Sequence, residues 1–269
     1  MTDRVAILGA GKMGEALLSG LLRSGFPAES LVISTRSPER ADVLKQRYGV
    51  EVAESASAAK SANTVVIAVK PQDMSALLDE IADHVSADQL VVSVAAGITT
   101  SFLEARLVDA VPVVRVMSNT PVLVDEAMSA LSPGSHADEA HLLRTEALLR
   151  PVGRTIRVPE SQQDAVTALS GSGPAYFFYL VEAMTDAGIL LGLPRSVAHD
   201  LIVQTAIGAA VMLRDSGEAP QTLREAVMSP AGTTIAAIRE MENHKVRAAF
   251  LAALEAARDR SRELASGHD

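Results

Sequence analysis

Val5-Ala6-Ile7-Leu8-Gly9-Ala10-Gly11-Lys12-Met13-Gly14 is followed at once by the helical apolar pattern Ala16-Leu17-Leu18 to Leu21-Leu22. An aliphatic run, a glycine-x-glycine-x-x-glycine turn and a helix, in that order, form the phosphate-binding turn of a dinucleotide site. The first glycine makes the tight turn, the second lets a pyrophosphate approach the backbone, and the third lets helix and strand pack closely. The helix start then presents unpaired N–H groups and the positive end of its dipole to the phosphates. Gly9, Gly11, Lys12, Met13 and Gly14 are therefore expected to bind the cofactor.

Outward from this turn, Leu31–Ser34, 64–69, 90–94 and Val113–Met117 read as further short strands. Ser37 before Pro38 marks one helix start, and Ser101 with Glu104 reads as a capping box at another. Strands alternating with helices predict right-handed βαβ units around a buried parallel sheet. Two more runs, 127–131 and 155–158, flank a helical segment at 138–149 and are expected to extend that sheet. Past Pro159 no strand-like run remains. Five helical patterns follow at 162–169, 174–190, 195–213, 220–228 and 233–264, the last with a break near Asn243. The segment 174–190 is apolar nearly all round and is expected to be buried. The division predicted is an α/β dinucleotide-binding domain over 1–159 and an all-α domain over 160–269. The helical half has more apolar surface than it can cover alone, which predicts dimerisation through it.

Composition narrows the function. Aromatic residues are only 3% of a chain that is 48% hydrophobic, so the core must be aliphatic. The net charge of −9 argues against a nucleic-acid partner, which needs a broad basic face. The absence of cysteine excludes disulfides, thiol catalysis and thiolate metal sites. His84, His136, His141, His199, His244 and His268 show no metal-ligand spacing; His136 and His141 read as solvated, and no metal is expected. No run approaches the roughly 20 uncharged residues of a membrane span, and Asp3 and Arg4 oppose a signal segment. No membrane partner is expected, and the chain reads as soluble and cytoplasmic, with no regulatory appendage after its last long helix at Asp269.

The cofactor is chosen just past the second strand. An NAD site places an acid about 20 residues beyond the glycines, to accept from the ribose 2′-hydroxyl. Here Ser34-Thr35-Arg36-Ser37 fills that stretch, and no carboxylate appears before Glu39. Hydroxyls and a guanidinium suit a 2′-phosphate, which predicts NADPH, with NADH as an alternative donor. The competing reading leaves Arg36 as a solvated loop residue. Further ligands are expected where strands end: Ala68-Val69-Lys70-Pro71, Ala95-Ala96-Gly97 and Ser118-Asn119-Thr120-Pro121. Lys70 reads equally well as a ligand or a surface lysine.

Two glycine- and hydroxyl-rich stretches in the helical half point to a second ligand. Leu169-Ser170-Gly171-Ser172-Gly173-Pro174-Ala175-Tyr176 allows close backbone approach at the start of an apolar helix. Ser229-Pro230-Ala231-Gly232-Thr233-Thr234-Ile235 reads as a helix N-terminus able to hold a small carboxylate, with Thr233 as its cap.

These stretches, together with Ala68-Val69-Lys70-Pro71-Gln72, Ala95-Ala96-Gly97-Ile98, Asn119-Thr120-Pro121, DAVTALSGSGPAY at 164–176, Gly192-Leu193-Pro194-Arg195 and Gln204-Thr205, resemble pyrroline-5-carboxylate reductase over nearly the whole chain. The resemblance implies a Rossmann-type parallel-sheet domain followed by an all-α dimerisation domain, in a homodimer at least, often gathered into decamers. It implies reduction of 1-pyrroline-5-carboxylate to L-proline by NAD(P)H, the last step of proline biosynthesis. By resemblance, N–H groups around Gly232, Thr233 and Thr234 hold the substrate carboxylate. The Thr234 hydroxyl bonds the ring nitrogen as the catalytic group, and Ser229 shapes the loop, which in the family meets the cofactor of the partner subunit. Ser55 stands where many relatives carry an Asn near the adenosine. The family commonly has Pro at Ser118, Gly at Asp125 and often at Ala231, and a small residue at Met228. Two alternatives stand beside this reading. One is a related enzyme, such as a β-hydroxyacid dehydrogenase, although Lys245 lies outside the matching motifs; the other is a dinucleotide sensor, which would need no substrate loop.

Overall fold

In the computed structural model residues 4–266 are described; Asp3, His268 and Asp269 lie outside the described residues. Eight strands build one sheet: β1 (Val5–Leu8), β2 (Leu31–Ser34), β3 (Glu51–Val52), β4 (Thr64–Ile67), β5 (Leu90–Ser93), β6 (Val113–Met117), β7 (Ala127–Pro133) and β8 (Gly153–Arg157). They lie in the order β3-β2-β1-β4-β5-β6-β7-β8. The first six are mutually parallel. β7 runs antiparallel to β6, with Val116 opposite Leu131, and β8 runs parallel to β7. All four residues of β1, β2, β4 and β5 are buried. A strand covered on both faces has no polar side, so it reads as an unbroken aliphatic run.

The crossovers are α1 (Lys12–Arg23), α2 (Pro38–Tyr48), α3 (Ser55–Ser61), α4 (Met74–Ile81) and α5 (Thr100–Glu104), with α6 (Glu139–Leu149) between β7 and β8. They divide between two aliphatic clusters. Val5 and Ile7 pack with Leu17, Leu18 and Leu21 of α1. Ala6 and Leu8 pack with Ala58 and Ala59 of α3 and Met74 and Leu78 of α4. The alternation along β1 is the two-residue period of a strand. Ser37 Oγ caps α2 by accepting from Arg40 N at 3.2 Å, with Pro38 in the first turn. The capping box expected from Ser101 and Glu104 does not form. Thr99 caps α5, accepting from Phe102 N at 3.1 Å, while Glu104 Oε1 accepts from Ser135 N at 2.6 Å. His141 is likewise not a free solvated side chain: it makes a reciprocal cap with Asp138 at the start of α6.

Beyond β8 the described residues are helical: α7 (Gln163–Val166), a π-helical turn at Thr167–Gly171, α8 (Gly173–Leu190), α9 (Arg195–Asp215), α10 (Pro220–Ala226), α11 (Thr233–Asn243) and α12 (Val246–Ser266). The chain forms two compact units. The first contains the sheet, runs to Ser172 and resumes at Ala257; the second is Gly173–Ala256. Within the second unit α8 packs on α9 so closely that a Cβ on Gly188 would collide with Ala198. The expected burial of 174–190 is not met. Phe177, Phe178 and Tyr179 are 66%, 69% and 75% exposed in the single chain. Periodicity reports how much of a helix is apolar, not which molecule covers it. α9 shares this exposure at Leu201, Ile207 and Met212, and by length and composition alone it would also suffice to cross a membrane.

Candidate active site

The chain leaves β1 toward β2 on one side and returns to β4 on the other, so a crevice opens beyond the carboxyl ends of β1 and β4. The glycine turn lies at its floor. Gly9 adopts φ +102, and its N–H donates to the Ser34 carbonyl at 3.0 Å, joining the turn to the end of β2. A Cβ on Gly14 would run into the Gly9 carbonyl oxygen, whereas a Cβ on Gly11 would meet nothing within 4 Å. Gly14 thus lets α1 pack, and Gly11 keeps open the space a pyrophosphate needs. The cradle fits a dinucleotide.

A cleft of about 390 Å³ extends from this turn. Of the expected ligands, Gly9, Gly11, Ser34, Thr35, Arg36, Ser55, Ala68, Val69 and Lys70 line it. Ser34 Oγ and Ser55 Oγ are 2.9 Å apart, tying β2 to α3. Sequence reasoning missed Asp73, Ala76, Leu77 and Glu80, which line the same cleft from the segment after β4. Asp73 sits 37 positions from Arg36, and no local pattern links them. Lys12 and Met13 do not line this cleft: Lys12 borders a separate polar hollow, and Met13 packs against the core.

A second cleft of about 540 Å³ lies at neighbouring strand ends. Pro71 and Gln72 line it after β4, Ala96 and Gly97 after β5, Thr167 from the π-turn and Ser172 just after it, and Arg260 and Ser261 from α12. Ala95 is buried, so it supports this wall without lining it. The Asn119 side chain bridges two elements of the sheet unit. Its amide nitrogen donates to the Ser170 carbonyl at 3.1 Å, and its Oδ1 accepts from Met128 N at 3.0 Å. The side chain thereby fastens the π-turn to β7, and both ends of the amide are occupied by protein. Ser261 Oγ donates to Asp164 Oδ1 at 2.7 Å, which seats the end of α12 on α7.

In the second unit, Ser229–Ile235 enters α11. Gly232, not Thr233, is the residue before the helix; no side chain caps it, and Thr233 is already in the first turn. The Gly232 N–H donates to the Ser229 carbonyl at 3.0 Å, forming a tight turn. The first N–H groups of a helix have no partner within it, so those of Thr233, Thr234 and Ile235 face outward as a set of donors. Thr234 is half-buried while Ser229 and Thr233 are exposed. Ala231 has φ +58 and Asp125 has φ +61. Both occupy the left-handed region where glycine is least strained.

Residues 160–264 match the family model described as pyrroline-5-carboxylate reductase dimerisation. Residues 4–97 match the one described as NADP oxidoreductase, coenzyme F420-dependent. A pyrroline-5-carboxylate reductase of Mycobacterium tuberculosis is 45% identical over 97% of this chain and 96% of its own length. That of Corynebacterium melassecola is 44% identical over 97% and 98%. Among solved structures, a pyrroline-5-carboxylate reductase from Coxiella burnetii superposes with a TM-score of 0.93 at 35% identity, covering 98% of this chain and 99% of that one. The Plasmodium falciparum enzyme, solved with NADP bound, superposes at 0.87 with 26% identity over 98% of each chain.

Proposed function

The chain belongs to the pyrroline-5-carboxylate reductase family, and from that premise we propose how its residues carry out the family's reaction. It reduces 1-pyrroline-5-carboxylate to L-proline, with NADPH as donor. The likeness over nearly its whole length to reductases of this one kind carries the conclusion.

When bound, NADPH supplies a hydride from nicotinamide C4 to the C5 carbon of the cyclic imine. The glycine turn at Gly9, Gly11 and Gly14 holds the pyrophosphate on the start of α1. Ser34, Thr35, Arg36 and Ser55 hold the adenosine end, with Arg36 on the 2′-phosphate. The strand ends at Lys70, Pro71, Ala95 and Ala96 seat the nicotinamide half. On the acceptor, the N–H groups of Thr233 and Thr234 take the carboxylate beside Gly232, whose own N–H is held by the Ser229 carbonyl, and the Thr234 hydroxyl takes the ring nitrogen. Ser229 holds the turn. A protonated imine is already electrophilic, so no strong acid is asked of a chain with no cysteine. What the protein supplies is positioning, an effect that can reach about 7–11 kcal/mol when two reactants are held in register.

NADPH oxidation with 1-pyrroline-5-carboxylate, run beside a hydroxyacid and a six-membered cyclic imine, tests the assignment. Turnover with the five-membered ring alone is expected. Thr234→Ala should lower kcat about 10- to 100-fold without changing Tm, the scale of one oriented donor. Wild-type kcat in that variant would remove Thr234 from the mechanism.

Oligomerisation follows from the dimerisation domain. A homodimer as the smallest active form, a decamer as the higher assembly and a cytoplasmic location complete the proposal. The apolar faces of α8 and α9 support it, since exposed surface of that extent is ordinarily covered by another subunit.

A further inference from the structure

The mouth of the first cleft carries an ion pair that the activity above does not require. Arg36 Nη1 and Nη2 donate to Asp73 Oδ1 and Oδ2, each at 2.9 Å, in a two-pronged pairing. The pair is lopsided: the Arg36 side chain is 85% exposed, that of Asp73 only 24%. Asp73 precedes α4 but makes no side-chain cap bond to it, so the helix start does not explain the carboxylate's placement. Glu80 adds a second acid to the same lining, where Arg36 and Lys70 are the cations. A dianionic 2′-phosphate entering here meets a guanidinium whose paired edge already faces a carboxylate. An unphosphorylated ribose asks nothing of that guanidinium.

We propose that Asp73 is a specificity-determining residue, competing with the 2′-phosphate for Arg36 and so narrowing the gap in affinity between NADPH and NADH. This rests on Arg36 being the phosphate ligand. The pair is solvent-exposed on the arginine side, so its effect on affinity should be about two- to fivefold, the range of exposed ion pairs.

Calorimetric titration of the full chain with 2′,5′-ADP and with 5′-AMP, in the absence of acceptor, isolates the phosphate. Asp73→Asn is expected to tighten 2′,5′-ADP about two- to fivefold and leave 5′-AMP unchanged. Asp73→Ala, which introduces no new donor, should give the same sign. Arg36→Ala should weaken 2′,5′-ADP about tenfold, as loss of a charge-assisted contact does, and should abolish the gain from Asp73→Asn in the double variant. If Arg36→Ala is costly but neither Asp73 variant tightens binding, Arg36 reads the phosphate and the competition is disproved. A gain that persists without Arg36 also overturns it, since the effect is then repulsion alone. If Arg36→Ala leaves 2′,5′-ADP affinity unchanged, the reading of Arg36 fails and the proposal falls with it.

Discussion

Three glycines in six residues look interchangeable, but the space around each gives them separate duties. Ala at position 14 forces a Cβ onto the Gly9 carbonyl, whereas Ala at position 11 meets open space. Gly14→Ala should therefore cost about 1–3 kcal/mol of stability, the usual penalty of overpacking. Gly11→Ala should leave Tm unchanged and weaken dinucleotide binding about tenfold or more, which is 1.4 kcal/mol per decade. Thermal melts and cofactor titrations on the two variants separate the effects, and a matched loss of stability in both would refute the division. The turn was legible because its glycines are adjacent in the chain and each role is local. Asp73 was not, because its link to Arg36 exists only once β2 and β4 lie in one sheet. The side-chain bridge of Asn119 was hidden for a related reason. Its place at a strand end was visible, but its partners Ser170 and Met128 were not.

The elements of the sheet domain are joined by a few charged contacts outside the aliphatic core. Glu15 on α1 accepts from Tyr48 Oη at 2.9 Å and pairs with Arg40 and with Arg47 at the end of α2. Burial pushes its carboxyl up, but the Arg40 and Tyr48 hydrogen bonds and the charges of Arg40 and Arg47 outweigh it, holding the group below its ordinary 4.5. A carboxylate with a lowered folded value contributes stability above its unfolded value, and the contribution fades as pH falls through the folded one. Glu15→Gln should thus cost about 1 kcal/mol at pH 7, the net worth of such hydrogen bonds, and progressively less as the pH is taken down through the folded value. Denaturant melts over a series of pH values from 7 downward check this; a loss that does not shrink with pH would disprove the ionic origin. At this scale the sequence predicted most of what formed. Four-residue aliphatic runs such as Val5–Leu8 declare themselves because both their faces are buried. β3 did not, being a two-residue edge strand with no pattern long enough to read. The start of α5 was misplaced because Thr99, Thr100 and Ser101 offer three hydroxyls in a row and geometry selects the first.

For the molecule as a whole, the aromatic face of α8 is the decisive surface. If that face is the proposed interface, Phe178→Asp removes one ring from each subunit's side of it, about 1.5–3 kcal/mol each, and puts charge in their place. Sedimentation should then show monomers at micromolar concentration, and imine-dependent NADPH oxidation should fall more than tenfold. Cofactor affinity should persist, because every residue lining the first cleft belongs to the sheet unit. A variant that stays dimeric would take α8 out of the interface. The sequence revealed this face as apolar and could not say what lies against it, so a helix read as buried is exposed in the single chain.

The sheet unit is not finished where the helical unit begins, since it takes up the chain again at Ala257. During synthesis the nascent chain must therefore hold an incomplete nucleotide domain open while all of Gly173–Ala256 is made. Loss of the segment from Ala257 onward would strike the sheet unit rather than the helical one, stripping Arg260 and Ser261 from its second cleft. Cleavage before Ala257 would accordingly open the second cleft of the sheet unit while removing no residue of Gly173–Ala256.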